Sequence, residues 1–314
     1  MKRDIISIAD LSTAEITALL DEAARLKADR NAGRHSAPLA HKALALLFLK
    51  PSLRTRLSFE MAMEQLGGTS RFLGPAEVGM GTRESVPDVA RTIGLYVDAV
   101  AVRVFAQDVA RELAQHCPVP VVNGLSDDEH PCQILADLLT LRERFGTLRG
   151  LTVAYVGDVN NVANSLLLAL PRLGVNLCIA SPADYEPAPS ILAQAHDDAQ
   201  ATGAFVEVCR DPATAVANAA AVYADSWYSM GQEHEATKRR AIFKPYQVNE
   251  ALMGHTQTDT VAMHCLPAHR GDEITDAVLD GPASVAFQQA ENRLHAQKAL
   301  LLGLLGSPGL ESWT

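Results

Sequence analysis

Apolar positions along the chain follow two rhythms, a helical one and short unbroken runs. From Ser12 to Lys27 the residues Ile16, Leu19, Leu20 and Ala23 share one stripe at helical spacing, behind a cap at Ser12 or Thr13. Ala43 to Leu49 is instead continuously apolar and too short for an ordinary helix, so it reads as a buried strand. Pro51 interrupts the pattern before helical spacing resumes over Leu57 to Leu66. Val97 to Phe105 reads as a second buried strand containing Arg103; a helix over Asp108 to His116 and a short strand over Val119 to Val122 follow. Pro131 to Arg144 is predicted helical, with Gly146 and Gly150 marking its end.

A second unit begins with LTVAYVGDVNNVANSLLLAL, an apolar strand ending at Gly157-Asp158 and a helix starting near Asn161. Further strands are expected at Asn176 to Ala180, Ala204 to Cys209, Ala220 to Tyr223 and Thr260 to His264. Alternation of helices with continuously apolar strands predicts an α/β chain of two α/β/α domains, each on a parallel sheet. The domains are expected at 1–146 and 147–287, with 288–314 rejoining the first domain through a final helix, Gln288 to Leu305. No repeat or low-complexity tract breaks the pattern.

The 314 residues, 48% of them hydrophobic, suffice for two buried cores. The first residues have neither a long apolar core nor a small-residue cleavage site, and no later run reaches ~18 uninterrupted apolar residues. Secretion and membrane spanning are therefore not expected. Five cysteines, an odd number, are widely separated and lack paired metal-ligand spacing, which predicts reduced thiols in a cytoplasmic protein. A formal net charge of -10, from 27 Lys+Arg against 37 Asp+Glu, gives no general attraction to nucleic acid or anionic membrane. Positive charge for a small anion would have to be local.

Such charge occurs at Pro51-Ser52-Leu53-Arg54-Thr55-Arg56, where a buried strand gives way to a helix. A helix start offers unpaired N–H groups, and arginine supplies rigid donors for phosphate oxygens. A plain Ser52 cap with two solvated arginines fits the same residues. Arg103 sits inside the apolar pattern VDAVAVRVF, where a charge needs a partner, either an acid or a ligand. His130 and Gln133, three apart in DDEHPCQILAD, can polarise a carbonyl and hold an amide, or simply cap and face solvent. Arg293, near the start of the final helix, is open between a ligand contact and a surface charge.

In the second unit, GDVNN follows a strand as a mononucleotide loop would, but lacks the glycine fingerprint, so no nucleotide cofactor is expected. Its asparagines, Asn160 and Asn161, either end a helix and hydrogen-bond each other or meet an amino acid at the C-terminal end of the sheet. In Asp225-Ser226-Trp227-Tyr228-Ser229-Met230-Gly231, Asp225 suits an α-ammonium, Ser229 a carboxylate and Met230 aliphatic methylenes; a turn with a core Trp is the plain alternative. His264-Cys265-Leu266-Pro267-Ala268-His269-Arg270-Gly271 is not a zinc signature, and no metal is expected. A Cys-His nucleophile is possible in principle, but beside Leu266 at a strand end Cys265 suits orientation of an acceptor better, and a buried core thiol is the plain alternative.

Together FLKPSLRTRLSFE, EHPCQILADLLTL, YVGDVNNVANS, DSWYSMGQE, HCLPAHRGDE and FQQAENRLHAQKA resemble the ornithine carbamoyltransferase family over nearly the whole chain. The resemblance implies that Ser52, the Leu53 backbone, Arg54 and Thr55 cradle the phosphate of carbamoyl phosphate. Arg103, His130, Gln133 and Arg293 would contact phosphate or the carbamoyl oxygen and amide. L-Ornithine would meet Asn161, Asp225, Ser229, Met230, Cys265 and Leu266. By the same resemblance, Arg54, Arg103, His130, Asp225, Cys265 and Arg293 carry the catalysis, at a cleft between the domains of a homotrimer.

One departure is Gly79, in EVGMGTRESVPD, where many family members have a glutamine reaching a neighbouring subunit's donor site. Arg83 is the nearest positive charge that remains. The competing classes are a nucleotide-binding oxidoreductase, which lacks its fingerprint, and an amino-acid-binding protein without turnover. A carbamoyltransferase for an acylated ornithine and an enzyme working in the catabolic direction are the nearer alternatives.

Overall fold

The computed structural model describes residues 2–228, 231 and 233–306. They form two units: residues up to Leu139 with those from Glu291 onward, and Thr140–Ala290. In the first, Ser12 caps α1 (Thr13–Asn31), its Oγ accepting from Glu15 N while Glu15 accepts from Ser12 N. Next come β1 (Ala43–Phe48), α2 (Leu53–Gln65), β2 (Thr69–Leu73), α3 (Pro75–Val78), α4 (Val86–Ile93), β3 (Ala99–Arg103), α5 (Gln107–His116), β4 (Val121–Leu125) and α6 (Pro131–Phe145), which runs on past Leu139 into the second unit.

The first unit's parallel strands stand in the order β2-β1-β3-β4, with Leu44 beside Ala99, Leu46 beside Ala101 and Phe48 beside Arg103. Leu44, Leu46 and Leu47 are fully buried, each worth about 1.5–3 kcal/mol relative to exposure. The chain steps outward from β1 to β2, then returns to lay β3 on the other side of β1. That reversal leaves a crevice beyond the C-terminal ends of β1 and β3, where open α/β sheets bind ligands.

The second unit contains β5 (Thr152–Val156), α7 (Asn161–Ala169), β6 (Asn176–Ala180), α8 (Pro189–Thr202), β7 (Val206–Cys209), α9 (Pro212–Val216), β8 (Ala221–Ala224), α10 (Ala236–Phe243), α11 (Glu250–Met253), β9 (Val261–His264) and α12 (Asp276–Leu279). Helix α13 (Ala286–Leu305) begins here and continues into the first unit. The parallel order is β7-β6-β5-β8-β9, so the reversal falls between β5 and β8. Among the described residues no helix is long and apolar enough to cross a membrane.

Four elements differ from the sequence pattern. Helix α2 starts at Leu53, four residues earlier than its apolar spacing indicates, because Ser52 Oγ accepts from Thr55 N at 3.1 Å and Pro51 lies ahead of that cap. Strand β2 and helix α4 were not evident: β2 is a half-exposed edge strand, TSRFL, without a continuous apolar run. Strand β4 lies two to three residues later than Val119 to Val122 and takes in Asn123 and Gly124. Inside the unit the Asn123 Nδ2 donates to Ile6 O at 2.9 Å. At Gly124 a Cβ would lie 3.1 Å from Val102 O and 3.3 Å from Thr55 Cγ2, so the absent side chain lets β4 pass close under the start of α2.

Candidate active site

In the first unit the chemistry gathers where β1 and β3 end. Ser52 caps α2, Arg54 is half-buried in its first turn, and Thr55 is buried beneath them. Thr55 Oγ1 accepts from Arg293 Nη2 at 3.1 Å and, at the limit of a hydrogen bond, from Arg103 Nη1 at 3.5 Å. Arg103 ends β3 and Arg293 lies on α13; they are 7% and 2% exposed. Arg293 Nη1 donates to Gln133 Oε1 at 2.8 Å, and Gln133 Nε2 donates to Asp137 Oδ1 at 2.9 Å. Gln133 is thereby held in one amide orientation, its oxygen toward the guanidinium. Lys50, also buried, is paired with Asp127 and so adds little net charge.

His130 is buried beside this cluster. Burial, then the charges of Arg293, Arg103 and Arg54, hold its pKa well below 6.5. A neutral imidazole, able to donate one hydrogen bond without adding a repelling charge, therefore stands among three arginines. Leu53 is 73% exposed, so its backbone, in the first turn of α2, carries whatever it contributes.

In the second unit the ends of β5, β8 and β9 supply the groups. Asp225 follows β8 and is 6% exposed. Its Oδ1 accepts from Ser226 N at 2.8 Å and from the Cys265 thiol at 3.0 Å; Oδ2 accepts from Asn160 Nδ2 at 2.6 Å. Asn160 Oδ1 meanwhile caps α7, accepting from Val162 N at 2.9 Å and Ala163 N at 3.3 Å. The cap fixes which end of the amide faces Asp225. Asp158, on the same turn, pairs with Arg239 at 2.8 Å, and its pKa is pushed up to about 6 by burial against the opposing guanidinium.

The turn after β9 is set by a buried carboxylate. Leu266 N donates to His264 Nδ1 at 2.8 Å, which leaves the ring proton on Nε2, 3.1 Å from Glu273 Oε1. The same Oε1 accepts from His269 N at 2.6 Å. His264 and Glu273 are fully buried, so Glu273 ties both ends of the segment that presents Cys265 and Leu266. Leu266 has φ 59°, a conformation costing roughly 1–2 kcal/mol outside glycine, and precedes a cis peptide to Pro267. Asp225, His264 and Cys265 offer ligand atoms within 4.8 Å of one another, yet both ring nitrogens of His264 are already engaged. A metal there would displace the Leu266 N–H or the Glu273 contact.

Of the residues singled out from sequence, Thr55, Arg103, Gln133 and Arg293 are joined by hydrogen bonds, with His130 beside them. Asp225 and Cys265 are joined likewise. Asn161 begins α7, but the Asp225 contact belongs to its neighbour Asn160, whose capping position is the signal that finds it. Ser229 and Met230 lie outside the described residues. Gly79 has φ 63° at the end of α3, where a glutamine would be strained, and Arg83 Nη2 turns back to Glu77 O and Val78 O at 2.9 and 3.2 Å. Glu273 and Asp137 carry no signal in the sequence, since isolated acids are ordinary there.

Comparison with known proteins assigns a family model to each half of the chain. Residues 3–143 match the family model "Aspartate/ornithine carbamoyltransferase, carbamoyl-P binding domain", and residues 149–304 match "Aspartate/ornithine carbamoyltransferase, Asp/Orn binding domain". An ornithine carbamoyltransferase of Anoxybacillus flavithermus is 48% identical over 96% of both chains, and one of Thermosynechococcus vestitus 52% identical over the same shares. The solved ornithine carbamoyltransferase of Pyrococcus furiosus superposes with a TM-score of 0.93 at 46% identity, covering 96% of each chain. With both halves matched and full-length relatives at this identity, the chain belongs to the aspartate/ornithine carbamoyltransferase family.

Proposed function

We propose that this chain transfers the carbamoyl group of carbamoyl phosphate to the side-chain amine of L-ornithine, giving L-citrulline and phosphate. The observation that carries the reading is the convergence of Arg103 and Arg293 on Thr55 at the start of α2, beside a neutral His130. That arrangement suits a phosphorylated, carbonyl-bearing anion. The names of the full-length relatives supply the acceptor, and Asp225 with Cys265 supports an amino acid in that role.

In this reading Ser52, the Leu53 backbone, Arg54 and Thr55 bind the donor phosphate. Arg103, His130 and Arg293 meet the phosphate or the carbamoyl oxygen, and Gln133 meets the carbamoyl amide. Asp225 balances the ornithine α-ammonium, Asn161 and Ser229 take the α-carboxylate, and Met230 packs on the methylenes. Cys265 and Leu266 orient the δ-amine. The neutral amine attacks the carbamoyl carbon, and the oxyanion that forms is stabilised by the arginines and His130. The C–O bond to phosphate then breaks, and the amine's proton leaves with the phosphate. No covalent enzyme intermediate is required.

The enzyme is assigned to the cytoplasm, to arginine biosynthesis and to a homotrimer, the assembly to which the family resemblance points. The test is a purified-enzyme assay with carbamoyl phosphate and a panel of amines, reading ureido product and phosphate together. Equimolar citrulline and phosphate with ornithine is expected. Absence of turnover with ornithine, or faster turnover with N-acetylornithine, overturns the assignment.

A further inference from the structure

A small cavity of about 20 Å³ in the first unit, remote from the chemistry above, is lined by Leu26, Asp29, Arg30, Arg34, Gln65 and Lys298 among others. Gln65 is the last residue of α2, at the opposite end from Ser52 and Thr55. Lys298 is 5% exposed, and its ammonium donates to the Gln65 amide oxygen at 3.3 Å. Among the described residues no carboxylate forms an ion pair with it. Asp29, the acidic residue of the lining, is already taken by Arg25 and Arg34, each at 2.6 Å. Arg30, exposed on the last turn of α1, has no ion pair among the described residues. Among the described residues the acids paired within the group Arg25, Arg30, Arg34 and Lys298 are thus Asp29 and the Glu22 that Arg25 also holds.

A buried ammonium satisfied by one amide oxygen is costly. Burial, followed by the charge of Arg30, lowers its pKa from the ordinary lysine value. We propose that this cavity is a second anion site, in which Lys298 and Arg30 hold a small inorganic oxyanion of the phosphate or sulfate type. The space admits about one water-sized centre, which fits one oxygen seated on Lys298 with the remainder of the ion at the mouth between the arginines. An organic phosphate or a peptide has no room inside. The site is independent of the proposed reaction.

Equilibrium dialysis of the full chain against labelled inorganic phosphate provides the test. Two equivalents per chain are expected, of which excess carbamoyl phosphate displaces one. Lys298→Met and Arg30→Ala should each weaken the equivalent that resists displacement at least tenfold, with carbamoyl phosphate affinity and kcat unchanged. Arg30 is exposed, so its variant decides the matter should Lys298→Met fail to fold. A single displaceable equivalent in the wild-type chain, or two undiminished equivalents in Arg30→Ala, overturns the site.

Discussion

Replacing Asp225 with Asn separates the acceptor role of this carboxylate from its part in holding the second unit's site together. Both oxygens are occupied, Oδ1 by Ser226 N and the Cys265 thiol, Oδ2 by Asn160 Nδ2. If the new carbonyl stays toward Ser226 and Cys265, the new NH₂ meets the NH₂ of Asn160, donor against donor. Asn160 cannot turn over without uncapping Val162 N and Ala163 N, at about 1 kcal/mol. One buried donor left unsatisfied costs about 1–3 kcal/mol, which is the expected loss of stability. Loss of the charged partner of a substrate ammonium from a site 6% exposed is worth about 2–5 kcal/mol. At about 1.36 kcal/mol per decade, kcat/KM for ornithine should fall roughly 30-fold to several thousand-fold. The assay measures kcat/KM for ornithine and N-acetylornithine at saturating donor, with calorimetric titration of carbamoyl phosphate and thermal unfolding alongside. Unchanged donor affinity and a narrowed preference between the two amines are expected. Were kcat/KM for ornithine to stay within about twofold while stability fell, Asp225 would serve only the Asn160 and Cys265 contacts, and the acceptor reading would be refuted.

Thr55→Val keeps the shape and removes the oxygen that accepts from Arg293 and Arg103, so the carbamoyl phosphate Kd should rise roughly tenfold to a hundredfold; an unmoved Kd means the hydroxyl is inert toward the donor. Glu273→Ala strips His264 Nε2 and His269 N of their buried acceptor and should lower the unfolding midpoint and raise KM for ornithine, with donor titration unaffected. The lowered pKa of buried His130 means that, below pH 6.5, the unfolded chain takes up a proton the folded chain refuses, so its contribution to stability is present above 6.5 and lost as pH falls toward the folded value. Asp158, raised to about 6, acts with the opposite sign between pH 4 and 6, so the comparison must be wild type against His130→Gln; identical pH slopes for the two would contradict the His130 environment.

The parallel strands were legible because burial on both faces writes a continuous apolar run, as in ALALLF and TVAYV. Edge strand β2 was not, since half its surface stays exposed and its sequence carries no such run. The start of α2 is not legible in the apolar spacing, which begins only where a helix meets the core, whereas this helix begins at its cap, four residues before Leu57. The motif residues Arg103, His130 and Arg293 stood out because charge or polarity interrupts an otherwise regular pattern. What they touch is a property of strand order: Thr55 and Arg293 are 238 residues apart, and local sequence cannot state that they share a hydrogen bond. The pattern GDVNN does not say which of its two asparagines reaches Asp225, and Glu273 carries no signal of its own, because the work of Asn160 and Glu273 is to hold other side chains in place.

The first unit is discontinuous, and its last piece carries Arg293. On a ribosome the strands β1 to β4 and the cap of α2 emerge early, but about 150 residues of the second unit must be translated before the guanidinium that bonds Thr55 and Gln133 exists. At ordinary elongation rates that interval is on the order of 10 s. A nascent chain stopped before Glu291 has the sheet and Arg103, yet lacks Arg293, so full anion affinity is among the last properties the polypeptide acquires.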